Sequence, residues 1–222
     1  ITARANVEVS EIEKQGLQRM IREQGRHQGN MENVVLKAIP HIKGDVNSDE
    51  FDDDWLTNFF DKCRLISDEE MQTLWAKILA DQANKPESFS KKTVEIAASL
   101  DQADAHLFTK SCRLVWDLDG EKKLVVFLER DSKFDGTRNV FGAFTHLAEL
   151  GLLTCTFDDD GSGYIMTDLP ENRVIFYFGR PIYFVTPSNY PNNTLFVGSA
   201  LLSRAGSELA TICGATPSNE SY

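Results

Sequence analysis

The segment from Ile66 to Ala80 constrains the fold more than any other part of the sequence. It opens with Ser67-Asp68-Glu69-Glu70, the spacing of a capping box, in which the Ser67 hydroxyl and the Glu70 carboxylate satisfy each other's backbone N–H groups. Apolar residues follow at i, i+3, i+4, i+7 and i+8, namely Met71, Leu74, Trp75, Ile78 and Leu79. Because this spacing places them on one face, the sequence predicts a buried helix that starts at Ser67.

A narrow helical stripe occupies the N-terminal end, from Ile1 to about Gln24. Apolar or small residues recur there at helical spacing, at Ile1, Ala5, Val9, Ile12, Gly16 and Met20. Such a stripe is typical of a helix–helix seam, and two interpretations stay open: self-association through this helix, or a long helix folded back on its own chain. Gly25 and Gly29 are expected to interrupt it, with a short helix from Met31 to Ile39 afterwards. The chain begins inside this pattern without an initiator Met, which predicts an upstream segment.

The second half of the sequence predicts a mixture of helices and strands. Ser90 and Asp101 stand where N-caps belong, so we expect helices from Ser90 to Leu100 and from Asp101 to about Trp116. The apolar run from Leu124 to Leu128 predicts a strand. A last helix is expected near Ser203 to Ile212, with its apolar residues facing inward.

Residues 139 to 167 have the order helix, turn, strand, loop, strand. Asn139 is expected to cap a helix that Gly151 closes, followed by strands at Leu152–Phe157 and Tyr164–Thr167. A second hairpin is expected around Gly179. The order resembles the third helix and the wing of a winged-helix unit. The predicted fold class is therefore α+β, with a helical N-terminal half followed by a winged-helix-like C-terminal unit containing two β-hairpins.

These patterns predict four regions. They are an N-terminal helical assembly segment (1–43), an acidic linker with a central helical pair (44–88), a winged-helix-like domain (89–215) and a flexible tail (216–222). The linker contains six acidic residues between Asp45 and Asp54, which favour the N-terminus of the next helix, expected from Trp55 to Leu65. A solvated linker is therefore the preferred interpretation, and a cation site the alternative.

Charge disfavours nucleic acid as the partner of the winged-helix-like unit. The chain carries a net charge of −11 with a pI near 4.8, and nucleic-acid affinity depends mainly on Lys and Arg. The surface expected to contact a partner combines one basic residue with polar and acidic ones: Arg138, Thr145, His146 and Glu149 around the helix, and Asp158, Asp159 and Asp160 at the wing tip. The sequence thus favours a protein partner, with a nucleic-acid-binding regulator as the alternative.

No recognised catalytic pattern is present in the sequence. The loop from Asp158 matches the start of a calcium loop, but its twelfth position is Leu169, where a bidentate Glu is needed. The four histidines lack a zinc spacing, and no P-loop, dinucleotide or nucleophile-elbow motif occurs. We therefore predict no catalytic residue, no cofactor and no metal; an undescribed carboxylate site at Asp52 to Asp54 is the enzymatic alternative.

Cysteine usage and hydropathy point to a cytoplasmic protein. The four cysteines, Cys63, Cys112, Cys155 and Cys213, are far apart and lie mostly in apolar surroundings, as reduced thiols of the cytosol do. No stretch approaches the apolar length of a membrane span.

The motifs of the central helices resemble those of a known family. Asp54-Trp55 through Phe60, the segment from Ile66 to Ala80, Phe89 to Thr93 and Leu202 to Leu209 are similar to a bacterial and prophage-borne family known as a domain of unknown function. The central helices are also similar, over fewer residues, to abortive-infection proteins of the alpha type. That second resemblance implies a role in phage defence. Neither resemblance implies catalytic residues.

Overall fold

The computed structural model describes residues 2–44, 52–118, 121–124, 140–155, 164–166, 172–185, 195–198 and 200–217. The chain forms two compact units, Ile1–Ser88 and Phe89–Tyr222. The first is helical, and the second combines helices with small antiparallel sheets. The predicted mixed α+β class with a helical N-terminal half is thereby confirmed.

The helical unit consists of α1 (Thr2–Ala38), a short 3-10 turn (Ile39–His41), α2 (Asp53–Cys63) and α3 (Glu69–Asn84). Helix α1 is continuous, so the predicted break at Gly25 and Gly29 is wrong. A glycine inside a helix costs only about 1 kcal/mol relative to alanine. Packing of the C-terminal part of α1 on the rest of the unit can offset that cost.

Helix α3 is the core helix that the sequence predicts, but its N-cap differs. Asp68 takes this role and accepts a hydrogen bond from the Met71 backbone N–H at 2.9 Å, so the prediction of Ser67 as the cap is wrong. Asp and Ser cap equally well, and the sequence pattern alone does not choose between neighbours. Of the five predicted core residues, Leu74 is half-buried and the others are buried.

Aromatic packing and polar side chains hold the helical unit together. The Phe59 ring lies 5.1 Å from both Trp55 and Trp75, and all three are buried. The amide of Asn30 on α1 donates to the Arg64 carbonyl at 2.8 Å, and the Gln72 amide on α3 donates to the Ile66 carbonyl at 3.0 Å. These bonds fix α1 and α3 to the connection between α2 and α3.

The second unit contains α4 (Lys91–Ser99), α5 (Gln102–Ser111), α6 (Val140–Glu149) and α7 (Arg204–Ala210). Ser90, Asp101 and Ser203 are the N-caps of α4, α5 and α7. Helix α5 ends at Ser111 rather than near Trp116, because a 3-10 turn (Cys112–Leu114) leads into a strand that carries Trp116. Val115 and Trp116 favour a strand, and pairing within a sheet overrides the helical spacing.

The described residues of this unit also form eight short strands: β1 (Val115–Leu118), β2 (Glu121–Leu124), β3 (Leu153–Cys155), β4 (Tyr164–Met166), β5 (Asn172–Tyr177), β6 (Arg180–Val185), β7 (Leu195–Gly198) and β8 (Ala200–Leu202). They form a four-stranded sheet in the order β2-β1-β5-β6 and two pairs, β3 with β8 and β4 with β7, all antiparallel. Of the strand predicted at Leu124–Leu128, Leu124 ends β2, and the rest lies outside the described residues.

The hairpin around Gly179 is confirmed by β5 and β6, whereas the described residues do not form the predicted wing. Strand β3 pairs with the C-terminal β8, and β4 pairs with β7. Sequence alternation predicts strands without specifying their partners. The helix before β3 closes as predicted: Gly151 has φ +80°, and the Leu152 N–H donates to the Leu147 carbonyl at 2.9 Å, as in a Schellman motif.

Candidate functional site

The surface predicted to bind a partner is only partly described. Thr145 is half-buried, and His146 and Glu149 are exposed on α6. Arg138 and Asp158, Asp159 and Asp160 lie outside the described residues, as does Asn139. The structure therefore brings together the three residues of α6 and leaves the predicted wing tip untested.

A hydrogen bond between His146 and Asp104 joins α6 to α5. Nε2 of His146 lies 2.6 Å from Oδ1 of Asp104, and Asp104 also completes a capping box with Asp101 at the start of α5. Partial burial acts to raise the pKa of Asp104, but hydrogen bonds from His146 and the Asp101 backbone outweigh it, so the pKa of Asp104 is lowered. His146 thus has a structural role that its sequence spacing did not reveal.

A second carboxylate, Glu208 on α7, binds the N-terminus of α4. Its Oε2 accepts from the Ser90 backbone N–H at 2.8 Å and from the Thr93 hydroxyl at 2.5 Å, and its Oε1 accepts from Arg204 at 2.8 Å. Glu208 acts as the glutamate of a capping box does, except that it comes from another helix. The segments Phe89 to Thr93 and Leu202 to Leu209, which carry the family resemblance, therefore meet in space as a structural contact.

Close backbone packing reinforces this contact. A Cβ atom on Gly206 would lie 2.0 Å from the Leu152 carbonyl oxygen, so α7 can approach the corner after α6 only with glycine at this position. Ser203 strengthens the contact, since its hydroxyl donates to the Gly151 carbonyl at 2.6 Å. This part of the unit is built for packing.

The described side chains offer little for catalysis. Asp52 caps α2 through the Asp54 and Trp55 N–H groups, and Asp53 and Asp54 occupy its first turn, which fits a helix start. Within the described ranges, no three His, Cys, Asp or Glu side chains converge where they could hold a metal ion.

Two cysteines are also poorly suited to act as nucleophiles. Burial raises the pKa of Cys63 to about 12 and that of Cys155 to about 11. The thiolate is the reactive form, so both thiols stay protonated at neutral pH.

The N-terminal part of α1 presents an uncovered apolar face. Every described side chain from Ser10 to Arg26 is exposed except Gly16, which is intermediate. Ile12 is 68% exposed and Met20 is 52% exposed. We call Ile12, Gly16 and Met20 the N-terminal seam. Exposed apolar residues at regular spacing are typical of interaction surfaces.

The seam continues a face that is covered further along the same helix. Ile12 and Asn30 are 18 residues apart, or about five helical turns, so both lie on the same side of α1. Asn30, Val34 and Ala38 on this side are buried, and α1 packs mainly against α3. One face of α1 is therefore packed at its C-terminal end and open at its N-terminal end.

The β5–β6 hairpin exposes a second apolar surface, which the sequence analysis did not single out. Phe176 and Phe178 are 40% and 38% exposed, and Val174 faces Tyr183 across the strands on the same side. The turn has positive φ at Phe178 (+47°) and Gly179 (+74°), the geometry of a type I′ turn, which is unfavourable for a bulky residue. The sequence feature that indicates this surface is the continuous apolar run from Val174 to Phe178, because a strand without polar residues must expose apolar side chains when one of its faces meets solvent.

A small pocket adjoins this hairpin. It has a volume of about 160 Å³ and is lined by Phe176, Phe178, Cys112 and Asp117, among others. Ligand pockets usually measure about 300–1,000 Å³. This pocket is therefore too small for a typical organic cofactor.

Among the described residues, no helix has the length and apolar character needed to cross a membrane.

A family model described as "Protein of unknown function (DUF2806)" matches residues 14–222. The chain therefore belongs to this family, as its motifs predicted. No curated protein and no solved structure matches it.

Proposed function

We propose that this member of the DUF2806 family is a non-enzymatic assembly protein whose copies associate through the N-terminal seam. This proposal rests on a difference in side-chain burial along one face of α1. At its C-terminal end the face is buried by the chain's own helices. At its N-terminal end the same face presents Ile12 and Met20 to solvent.

A second copy of the chain is the partner that this face fits best. The face already packs against helices where α2 and α3 cover it, so its shape suits another helix. Its flanks carry charges of both signs, among them Glu13, Arg19 and Arg26, all exposed. A surface with both signs on one helix can be complementary to itself.

The α+β unit is proposed to bind a protein partner. Aromatic side chains are enriched in protein interfaces, and the β5–β6 hairpin exposes Phe176, Phe178 and Tyr183. The exposed residues described on α6 include Glu149 and the His146 that pairs with Asp104, and this composition does not favour phosphate contacts. A nucleic-acid-binding regulator is the alternative, and it predicts retention on DNA that falls steeply with added salt.

The biological setting we propose is prophage biology or phage defence. It is supported only by the resemblance of the central helices to abortive-infection proteins. A pull-down of the protein from its host during phage infection would test it.

Replacing the seam residues tests self-association directly. We expect the 222-residue chain to form dimers or larger assemblies at micromolar concentration in light scattering, and the Ile12→Glu/Met20→Glu variant to be monomeric. Charges placed at a desolvated helix interface cost several kcal/mol. Circular dichroism should show unchanged helix content, because both residues are exposed in the single chain.

Leu36→Glu is the matched control. Leu36 is 63% exposed on the same helix, but it lies about 120° around the axis from Ile12 and about 160° from Gly16 and Met20. This variant should assemble like the wild type. A wild-type chain that stays monomeric at these concentrations would refute the proposal.

A further inference from the structure

We infer that two copies of the chain pair through the N-terminal seam in antiparallel orientation, centred near Gly16. This inference rests on the proposed self-association and specifies its geometry. Three observations support it: the position of the covered part of α1, the distribution of charge along the helix, and the glycine in the middle of the seam.

The covered part of α1 excludes a parallel, in-register pair. Asn30, Val34 and Ala38 lie on the same face as the seam and are already buried within the helical unit. Two parallel helices that met through this face would bring both sets of α2 and α3 to the same end, into the space between the helices. An antiparallel pair places them at opposite ends.

The register follows from this centre. If Gly16 of one copy lies opposite Gly16 of the other, residue i lies opposite residue 32 − i. The seam residues of the two copies then lie opposite one another, and Asn30, the first buried residue of the face, lies about 15 Å beyond Met20 along the axis.

The charges along α1 change sign about the same centre. Residues 8–14 contain Glu8, Glu11, Glu13 and Lys14, a net charge of −2, whereas residues 19–26 contain Arg19, Arg22, Glu23 and Arg26, a net charge of +2. In a parallel pair, each block would lie beside the block of the same charge in the other copy. An antiparallel pair sets the acidic block beside the basic one, and complementary charges select orientation more than they add affinity.

Gly16 and the two large seam residues complete the match. Ile12 of one copy lies opposite Met20 of the other, so a branched side chain meets a flexible one that can adapt to it. At the centre, a Cβ atom on Gly16 would have no other atom within 4 Å. Two glycines that face each other allow the helix axes to approach closely.

Disulfide trapping in the full chain distinguishes the orientations. We would prepare Ile12→Cys, Met20→Cys and Gly16→Cys variants and oxidise them with oxidised glutathione. Cysteines bridge only when their Cα atoms are within about 7 Å. In the antiparallel pair, positions 12 and 12 are about 12 Å apart along the axis, whereas 12 and 20 are opposite.

The expected result is cross-linking of the Ile12→Cys and Met20→Cys chains when they are mixed, little cross-linking of either alone, and cross-linking of Gly16→Cys alone. Cys155 and Cys213 are only partly buried and can form disulfides of their own. Mass spectrometry of the linked peptides would distinguish these from the designed disulfides, and the wild-type chain measures how many of them form. Efficient cross-linking of Ile12→Cys with itself would overturn the antiparallel inference and leave self-association intact. No cross-link at any of the three positions, with a monomer in light scattering, would refute both.

Charge exchange gives an independent measurement. Arg26 lies about 80° around the axis from Gly16, on the flank that also carries Glu8, so Arg26→Glu should weaken the dimer about tenfold, because the twofold symmetry places the change in two places at once. Glu8→Arg/Arg26→Glu should return the dissociation constant to near the wild-type value. If the double variant stays as weak as the single one, the antiparallel pairing of these blocks is wrong.

Discussion

The helices inside each of the two units are joined by different kinds of polar contact. In the helical unit, the polar contacts between helices include the neutral amides of Asn30 and Gln72, which donate to the Arg64 and Ile66 carbonyls. The Lys37 ammonium on α1 also donates to the Glu69 carbonyl on α3. In the α+β unit, two carboxylates do this work, Glu208 between α7 and α4 and Asp104 between α5 and α6. The helical unit should therefore respond little to pH through these contacts, while the α+β unit depends on charge.

The units also differ in what they leave exposed. The helical unit presents a regular stripe along α1, and the α+β unit presents an aromatic hairpin face. A regular stripe suits a helix of the same kind, whereas an irregular aromatic face suits a different protein. This difference is why we assign self-association to the first and a separate protein partner to the second.

The largest effect of the carboxylate contacts should appear on replacing Glu208. Glu208→Ala removes three hydrogen bonds and leaves the part-buried Ser90 N–H and Thr93 hydroxyl without this acceptor. We expect the free energy of unfolding of the α+β unit to fall by about 3 kcal/mol. Hydrogen exchange read by mass spectrometry should show faster exchange in α4 and α7 and unchanged exchange in α3.

Glu95→Ala is the matched control for this variant. Glu95 lies on α4, and its side chain is half exposed in an ion pair with Lys92 at 3.6 Å. Surface pairs of this kind contribute about 0–1 kcal/mol. If Glu95→Ala and Glu208→Ala were equally destabilising, the contact between α4 and α7 would not have the importance that its geometry indicates.

The elements could be predicted from the sequence much better than their partners. Caps at Ser90, Asp101 and Gly151 and the hairpin at Gly179 follow from local hydrogen bonding and φ preferences, which neighbouring residues decide. The pairing of β3 with β8 joins residues about 50 positions apart, and no local rule specifies it. For this reason the sequence predicted pairing of β3 with β4, whereas their described residues pair with β8 and β7.

The candidate surfaces divide in the same way. The seam was visible as a periodic stripe, because periodicity is a local property of the helix. The contacts of His146 with Asp104 and of Glu208 with Ser90 join residues 42 and 118 positions apart. Their spacing in the sequence carries no signal, so only the fold shows that these polar residues are structural.

The stability of the α+β unit should also depend on pH through Asp104, with a smaller effect. The pKa of Asp104 is lowered in the folded chain, so its contribution to stability is complete above the unfolded pKa of about 3.9 and is lost as the pH falls through the lower folded value. The wild type should be about 1 kcal/mol more stable than Asp104→Asn at neutral pH. Asn can still accept the Asp101 N–H, so the variant removes mainly the charge.

Thermal unfolding at several pH values measures this difference. The advantage of the wild type over Asp104→Asn should disappear in acid, and exchange in α5 and α6 should rise before exchange in α3. A difference that stays constant down to the lowest pH would mean that the contact of His146 with Asp104 does not depend on the carboxylate charge.

The smallest effect concerns the glycines of α1 that did not break the helix. A Cβ atom at Gly25 or Gly29 would have no other atom within 4 Å, so alanine fits at both positions. Gly25→Ala/Gly29→Ala should stabilise α1 by about 0.5–1 kcal/mol at each position, with slower hydrogen exchange between residues 20 and 30.

Gly16→Ala lowers the conformational entropy of the unfolded chain in the same way, but it adds a methyl group at the centre of the seam, where two helices are proposed to approach closely. It should therefore weaken the dimer in light scattering, while the Gly25 and Gly29 changes leave it unaltered. If all three alanines acted alike on dimerisation, Gly16 would have no part in the contact between copies, and the seam would have to be centred elsewhere on α1.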